Sequence, residues 1–406
     1  MLNKKMIASA IATGAILIST FAPAVFATTT IDISGNGSDS NNDATVKTTQ
    51  TTTVVQNNDA WIVNEIKAKA ETGENDANDN TGGDVTISTG NATSTVDVFN
   101  AVNKNIADIQ NCGTCNGDTT VTISGNGSDS KNDVKLESKN EVEVFQDNKK
   151  AWIKNDIKAE AETGENDAER NTGGDVVILS GDATSNIGVT NLANANIANV
   201  GGNGDDTTDI DAIISGNGSD SKNDIDLKLK RLVTLVQDND AWIVNYLKAE
   251  AETGENDAND NTGGDVLIAT GDATATVNID NMANFNSAEA DCCLIDISAT
   301  VSGNGSDSKN KIKAELENKL DIFQDNKAKI ENELEAEAET GENDAERNTD
   351  SNGAEVIVVT GDATDEVGVS NASNLNGVGN SAEIELPGGL SLNILFDLSV
   401  LWSLLP

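Results

Sequence analysis

The sequence predicts an all-β fold, an elongated parallel β-solenoid (β-helix-like) built from four repeats of about ninety residues. Three observations carry this prediction. The chain is similar to itself along most of its length, the longest segment of each repeat alternates with a period of two, and Gln and Asn recur at matching positions on one face of that segment. Together they indicate strands that stack on their own copies.

Three Gly-rich sequences mark the repeats. SGNGSDS has its first glycine at Gly35, Gly125, Gly216 and Gly303, which gives spacings of 90, 91 and 87 residues. TGENDA and TG[DN]AT recur in step with it, the latter with Ser180 in place of Thr in repeat 2. We place the repeats at 28–118, 119–209, 210–298 and 299–380. Such periods are typical of repeat proteins in which each unit packs on its neighbours.

The long segment of each repeat alternates between uncharged and charged residues. In repeat 4 the even-numbered residues of 312–339 are uncharged, and the odd-numbered ones are Lys, Glu or Asp except for Phe323. Ala, Glu, Lys and Leu favour a helix, which is the alternative. A helix would spread the apolar residues around its whole circumference, whereas a strand places them on one face. Repeat 1 has the Thr- and Val-rich sequence 44–55 at this place, so only a strand suits every copy.

Amide side chains on the predicted inner face indicate how the repeats stack. The two main columns are Gln56, Gln146, Gln237 and Gln324, and Asn64, Asn155, Asn245 and Asn332. Parallel, in-register stacking places each amide about 4.8 Å from its twin, where the side chains form a ladder; an antiparallel meander would lose this pairing. We expect one repeat, or half of one, per turn.

A strand over 312–339 would reach about 90 Å, far beyond usual strand lengths. We therefore expect a corner at the Gln-Asp-Asn sequence that begins at Gln324 and its equivalents. Repeat 2 carries an extra residue there, Lys149 or Lys150, which predicts a β-bulge.

The predicted outer face carries two columns of interest. Trp61, Trp152 and Trp242 align with Lys329 of repeat 4 and form a candidate ridge for a glycan or a protein partner, unless another layer of the chain covers them. The acidic column is Glu71, Glu162, Glu252 and Glu339. Each pair of neighbouring carboxylates costs roughly 0.8 kcal/mol in a water-like dielectric, which nearby Lys columns or bound cations would offset.

Both termini are apolar. Residues 1–27 have the charged start, apolar centre and small-residue end of a secretory signal peptide, so we expect the mature chain to begin near Thr28 outside the cytoplasm. Residues 381–406 form an apolar C-terminal segment, which we interpret as a strand or cap over the open end of the solenoid. Donation of this strand to a neighbouring subunit is the alternative. Membrane contact is expected only through this tail.

Cysteines and aspartates supply the remaining candidate sites. Cys112, Cys115, Cys292 and Cys293 lie in junctions between repeats and are disulfide candidates in a secreted chain, with three possible pairings; a zinc site is the lesser alternative. The sequence at 201–209 fits one copy of a calcium-binding repeat, with Asp205, Asp206 and Asp209 as candidate ligands. A Gly-rich loop without a metal is the alternative. We expect no organic cofactor, and calcium is the ion that the aspartates would bind.

Composition excludes some classes of function. The net charge of −42 would repel phosphate, so we expect no nucleic-acid partner. The chain has no His, the commonest general base, and its carboxylates sit in repeated columns and turns without a unique acidic pair. We therefore expect a protein that is not an enzyme.

The arms resemble the curlin-type subunits of bacterial surface fibres and related secreted β-solenoids. The run Q-x-N-x-A-x-I-x-N at 237–245 and the run G-x-N-x-A-x-x-N at 254–261 are similar to the repeated Gln, Gly, Asn and Ala positions of curlin, although the spacing differs and this unit is several times longer. SGNGSDS, TGENDA and NTGGD resemble large repeat proteins of bacterial surfaces. The resemblance implies an extracellular location, stacking and self-assembly.

These observations lead to one functional hypothesis and two alternatives. We expect a secreted structural component of a bacterial cell surface or extracellular matrix, such as a stalk, coat or fibre subunit, whose partners are copies of itself or surface components. The first alternative is a calcium-stiffened adhesin or glycan-binding protein that uses the Trp column. The second is a polysaccharide-acting enzyme on a β-helix scaffold.

Overall fold

The computed structural model describes residues 4–13, 16–21, 28–109, 118–201, 207–291, 294–349, 353, 355–379, 383–385 and 391–393. All regular secondary structure in this part of the chain is β-strand, which confirms the all-β prediction. No helix long and apolar enough to cross a membrane occurs among these residues.

Each repeat contributes four strands in the same order: short, very long, very short and medium. The N-terminal segment forms β1 (Lys4–Thr13) and β2 (Ile16–Phe21), and repeat 1 forms β3 (Thr29–Ser34), β4 (Asn41–Gly73), β5 (Val85–Ser88) and β6 (Ala92–Ile109). Repeat 2 forms β7 (Thr119–Ser124), β8 (Lys131–Gly164), β9 (Val176–Leu179) and β10 (Ala183–Gly201). Repeat 3 forms β11 (Thr207–Ser215), β12 (Lys222–Gly254), β13 (Val266–Ala269) and β14 (Ala273–Asp291). Repeat 4 forms β15 (Leu294–Ser302), β16 (Lys309–Gly341), β17 (Val356–Val359) and β18 (Ala363–Val378), and the tail contains β19 (Glu383–Glu385) and β20 (Ser391–Asn393).

Equivalent strands of successive repeats pair in parallel. The sheets run β4-β8-β12-β16, β3-β7-β11-β15, β5-β9-β13-β17 and β6-β10-β14-β18. Each repeat is therefore one complete turn of the solenoid, the first of the two alternatives left open by the sequence, and the described repeats stack four turns high. The turns stack as the strands do, since Gly127 N donates to Asn36 O at 2.8 Å and Asp167 N to Asn75 O at 2.8 Å.

We call β4, β8, β12 and β16 the arm strands. They pair in the register that the amide columns predict, with Gln237 opposite Gln324 and Asn245 opposite Asn332. The predicted bulge is present, because the pairing of β8 shifts between Asn239 and Ala241 of β12, and Lys150 has φ of 57°. The prediction of a corner at the Gln-Asp-Asn sequence is wrong. Each arm strand is continuous across this point, because the bulge absorbs the extra residue while columns on both sides stay paired.

The core is a thin layer between the arm strands and the shorter strands of the same repeat. Burial along β8 alternates residue by residue over most of its length, as the period-two pattern requires. Ala159, Ala161, Ala183, Ile187 and Val189 pack together in one cluster that joins β8 to β10 and continues into the neighbouring turns. A second cluster joins β7 and its equivalents to the beginning of the arms. The small side chains keep the two layers close together.

The two ends of the stack differ. We call the open side of repeat 1 (β3, β4, β5 and β6) the repeat 1 face, and the open side of repeat 4 (β15, β16, β17 and β18) the repeat 4 face. On the repeat 1 face, β1 and β2 of the predicted signal peptide pair in parallel with β6. Cleavage before Thr28 stays a prediction. In the tail, β19 and β20 pair with each other in antiparallel orientation, and the rest of 381–406 lies outside the described residues.

The first strands of repeats 3 and 4 begin slightly before the boundaries set from the sequence, whereas the first strand of repeat 2 begins at Thr119, as set. The strand that opens repeat 3 begins at Thr207, and the strand that opens repeat 4 begins at Leu294. The pairing of Thr207 with Leu294 places both residues at the start of a turn of the solenoid.

Candidate functional site

The glutamine column forms a continuous hydrogen-bonded ladder through all four repeats. Nε2 of Gln146, Gln237 and Gln324 donates to Oε1 of the glutamine in the preceding repeat, each at 2.8 Å. Each Nε2 also donates to a backbone carbonyl of the facing strand, as Gln146 does to Ile197 O at 2.9 Å. Gln146 is 1% exposed, so these bonds supply partners that a buried amide needs.

The asparagine column forms a second ladder that interlocks with a facing one. Asn64 Nδ2 donates to Asn155 Oδ1 at 2.7 Å, and Asn155 donates to Asn245 and Asn245 to Asn332 in the same way at 2.7 and 2.8 Å. Across the core, Asn155 also donates to Asn191 Oδ1 at 3.1 Å. Asn100, Asn191, Asn281 and Asn371 form the facing ladder.

Sequence reasoning recognised the spaced asparagines of the last strand in each repeat but did not pair them with the arm. The pairing depends on how the strand folds back. Asn105 Nδ2 donates to Asn148 Oδ1 at 2.9 Å because β6 runs opposite to the arm strands, which brings its later residues against their earlier part. A further asparagine ladder in the SGNGSDS turns was also missed. It contains Asn36, Asn126, Asn217 and Asn304, and the recurrence of Asn after the marker glycine is the signal that could have identified it.

The tryptophan column lies on the outer face of the arm strands. Trp61 is 73% exposed and packs edge to face on Trp152, with ring centroids 4.0 Å apart. Lys329 Nζ lies 4.4 Å from the ring centroid of Trp242, which is a cation–π contact. The structure thus joins Trp61, Trp152, Trp242 and Lys329 into one line across the four repeats.

Carboxylates converge where the arm strands end and the TGENDA turns begin. Carboxylate oxygens of Glu71, Glu74 and Glu165 lie within 4.8 Å of one another, the one group of three or more potential metal ligands of this kind among the described residues. Glu162, Glu252 and Glu255 line the same groove. Hard cations such as calcium prefer oxygen ligands of this type, so this groove is where the described residues could hold a metal ion.

The crowding raises the pKa values of several of these carboxyls. Burial, followed by repulsion from Glu255 and Glu162, raises the pKa of Glu252 to about 7. Burial, followed by the carboxylates of Glu162 and Glu255, raises the pKa of Glu165. A hydrogen bond with Glu71 raises the pKa of Glu74.

Lysines offset part of this repulsion from the side. Lys69 Nζ lies 2.7 Å from Glu162 of repeat 2, and Lys248 Nζ lies 3.0 Å from Glu335 and 3.4 Å from Glu337 of repeat 4. These pairs are solvent-exposed and therefore individually weak, but they connect neighbouring repeats.

The other candidate ligands are largely outside the described residues. The residues outside the described part are Asp205, Asp206, Cys112, Cys115, Cys292 and Cys293. Calcium binding by the loop at 201–209 and disulfide pairing therefore stay predictions. Asp209 lies in β11, exposed, and its backbone N–H donates to Asp118 Oδ1 at 3.2 Å. Its carboxylate does not belong to the group of three glutamates described above.

No family model, curated protein or solved structure matches this chain. The resemblance to curlin-type repeats therefore stays a resemblance of short motifs.

Proposed function

We propose that the protein is a secreted structural component of a bacterial cell surface or extracellular matrix, and that it is not an enzyme. The observation that carries this proposal is the use of the amides. The four repeats share amide side chains on the inner face, such as Gln146 and Asn155. These side chains form their hydrogen bonds within ladders that connect the repeats. A side chain that is buried and fully bonded within the stack holds the stack together and has no group left for a substrate.

The carboxylates support the same proposal. Many of those among the described residues lie in columns and turns that recur from repeat to repeat, as Glu71 and Glu162 do. A glycosidase needs two carboxyl groups in distinct environments, one held as an acid and one as a base or nucleophile. A polysaccharide-acting enzyme is therefore the weakest of the three hypotheses.

Export and processing of the chain test the location. When a bacterium with a secretory pathway expresses the full chain, we expect the product outside the cytoplasm to begin near Thr28, as N-terminal sequencing would show. A variant with Lys4→Glu and Lys5→Glu, which lacks the positive start of the signal peptide, should stay inside. Parent protein that stays in the cytoplasm with residues 1–27 attached would contradict the proposal.

A second candidate function is favoured by one observation, the exposure of Trp61 beside Trp152. Exposed aromatic rings stack on sugar rings and on partner side chains. In this alternative the protein is an adhesin, and Trp61→Ala should weaken binding to immobilised glycans or host proteins in a binding screen. Val63→Ala is the matched control, because Val63 lies on the same face of β4 and is 44% exposed. Equal binding by both variants would count against the adhesin.

A further inference from the structure

Both ends of the stack present long strand edges. The arm strand β4 ends its sheet on the repeat 1 face and β16 ends it on the repeat 4 face, and each is 33 residues long. An edge strand offers a row of free N–H and C=O groups to any further strand, and soluble proteins usually shorten, bend or cover such edges. Neither arm strand is shortened here.

The repeat 4 face is also apolar. Ile312, Leu316 and Val369 are 48%, 62% and 52% exposed. Their register partners in repeat 3, Ile225, Leu229 and Ile279, are 1%, 7% and 2% exposed. The residues at these positions are apolar in both repeats, so the exposure arises because, within the described part of the chain, no further turn covers repeat 4. Terminal repeats of stable solenoids usually carry a polar outer side, which repeat 4 lacks.

Repeat 1 contains three buried amide oxygens that accept no hydrogen bond, one of them Oε1 of Gln50. The other two belong to columns that are bonded in the next repeats. They are Oδ1 of Asn58, a residue that is 5% exposed, and Oδ1 of Asn103, a residue that is 0% exposed. In repeat 2 the equivalent oxygens accept from the repeat before them. Asn148 Oδ1 accepts from Asn58 Nδ2 at 3.1 Å, and Asn194 Oδ1 accepts from Asn103 Nδ2 at 3.0 Å. The missing donors therefore belong to a turn that precedes repeat 1.

Repeat 4 carries these donors at the corresponding positions. Asn326 occupies the column of Asn58, since it accepts from Asn239 at 2.9 Å and Asn239 accepts from Asn148 at 2.8 Å. Asn374 occupies the column of Asn103, through Asn284 and Asn194. A second copy placed with its repeat 4 before repeat 1 would supply both amide groups.

The charges of the two arm strands largely match in the same register, whereas the TGENDA turns would bring Asp344 beside Asp76. Extending the arm register across such a junction puts opposite charges together at five positions: Glu315 with Lys47, Glu335 with Lys67, Glu337 with Lys69, Lys311 with Asp43, and Lys327 with Asp59. Like charges meet at two positions, Glu333 with Glu65 and Glu339 with Glu71.

The interface between repeats 2 and 3 is less favourable by the same comparison, because Lys158 meets Lys248, Glu160 meets Glu250 and Glu162 meets Glu252. Residues that differ from their own columns create four of the five favourable pairs. Glu335 stands where repeats 1 to 3 have Lys, and Lys69 stands where repeats 2 to 4 have Glu. Lys311 stands where repeats 1 to 3 have Asp, and Lys327 stands where repeats 1 and 3 have Asp. Complementary charges of this kind select the partner and its orientation.

We propose that the partner of this structural protein is a second copy of the same chain, docked with its repeat 4 face on the repeat 1 face in the register of the internal repeats. The inference rests on the proposed structural function and identifies the surface that serves it. The interface joins two different faces and does not close on itself, so it generates an open-ended filament. Contact between two repeat 4 faces would oppose Glu-rich segments and lose the amide columns.

The N-terminal segment competes for part of this surface. Lys4 of β1 pairs with Ala92 of β6. In a filament the same position belongs to Ala363 of the added copy, which is the repeat 4 equivalent of Ala92 through Ala183 and Ala273. Release of residues 1–27 therefore frees the edge of β6, and end-to-end docking follows processing.

Gly37 offers a variant that separates docking from folding. A Cβ atom on Gly37 would meet no atom within 4 Å, and its φ lies outside the left-handed range. The equivalent atom on Gly127 would lie 2.3 Å from Ser38 N, and on Gly305 2.4 Å from Ser219 N. Gly37→Ala should therefore leave the single chain intact but collide with the backbone of a docked repeat 4. Gly127→Ala is the matched control, because it places the same collision inside the chain.

The experiment compares the full chain, the chain that begins at Thr28, and both glycine variants of the latter by sedimentation velocity and electron microscopy. We expect filaments from the chain that begins at Thr28, and fewer or shorter ones from the full chain. Gly37→Ala should lose the filaments while keeping the parent's circular dichroism spectrum and melting temperature. Gly127→Ala should lower the melting temperature itself.

Three results would overturn parts of the inference. Single copies of the chain from Thr28 at every concentration, or filaments of Gly37→Ala as long as the parent's, would exclude this junction. Equal assembly of the full chain would exclude competition by β1 and β2. Single copies found on the cell surface would leave the proposed structural function standing while removing the filament.

Discussion

Individual amide groups illustrate how this fold is specified at the scale of the residue. Asn155 is 0% exposed and takes part in hydrogen bonds with Asn64, Asn100, Asn191 and Asn245. A buried amide that loses a partner pays the full desolvation cost of the groups left behind, whereas two identical amides one turn apart satisfy each other. Each ladder therefore favours one register and disfavours a slip by a single residue.

Asn155→Ala should lower the free energy of unfolding by about 3 kcal/mol, because it removes the hydrogen bonds that link this buried side chain to four neighbouring amides. Urea unfolding followed by circular dichroism measures the change. Two controls separate burial from sequence position. Asp156→Ala, on the exposed face of the same strand, should change the free energy of unfolding by less than about 0.5 kcal/mol. Asn332→Ala, at the exposed end of the ladder, should lower the free energy of unfolding by an amount between those of Asn155→Ala and Asp156→Ala. Equal losses at Asn155 and Asp156 would contradict the role given to the ladder.

The arm strand is the unit at the scale of the element. The sequence was sufficient to predict its strand conformation, its parallel pairing and its register, because alternation and identical columns are local to one repeat and its copies. Two properties escaped prediction. The unbroken passage of β8 through Lys149 and Lys150 depends on pairing with β4 and β12, and the facing asparagines of Asn191 depend on where β10 folds back. Both are long-range properties.

Deletion of Lys150 tests the bulge. The residue has φ of 57°, and without it Lys149 would pair with Asp59 of β4 and Asp240 of β12. We expect the free energy of unfolding to stay unchanged or to rise by about 1 kcal/mol, since a strained backbone position is lost. Deletion of Asp240 from β12 is the contrasting control. It would turn every later side chain of that strand to the opposite face, and we expect the chain not to fold. A large loss of stability on deleting Lys150 would show that the bulge is required.

At the scale of the whole molecule, the same stacking that builds the ladders also aligns like charges. The chain has a net charge of −42, and the groove at the end of the arms gathers Glu71, Glu162, Glu252 and their neighbours in the TGENDA turns. In-register stacking cannot separate these columns without breaking the amide ladders. Protons, cations and interleaved lysines such as Lys248 are the means of offsetting the repulsion.

Stability should therefore rise on mild acidification. The pKa of Glu252 is raised to about 7 and that of Asp257 to about 6, both mainly by burial. Because a raised pKa means that the folded chain binds more protons than the unfolded chain, stability is greatest below the ordinary carboxyl pKa and is lost as the pH rises towards 7. The melting temperature should rise by roughly a few degrees between pH 8 and pH 5. Glu252→Gln should make the melting temperature depend less on pH. Asp156→Asn, at an exposed position of β8, should leave this dependence unchanged. A melting temperature that falls steadily from pH 8 to pH 5 would contradict this account.

One repeat per turn has a consequence for the gene. Since every turn meets its neighbours through the same columns, unequal recombination between repeats would delete or duplicate a whole turn and leave a seamless joint. The encoded protein would differ in height by about 4.8 Å for each turn gained or lost. A variant that joins Asn199 directly to Ala290, the register partner of Val200 in β14, would remove one turn in this way and should still fold. Length variation of this kind alters the height of the stack while both of its terminal surfaces are inherited unchanged.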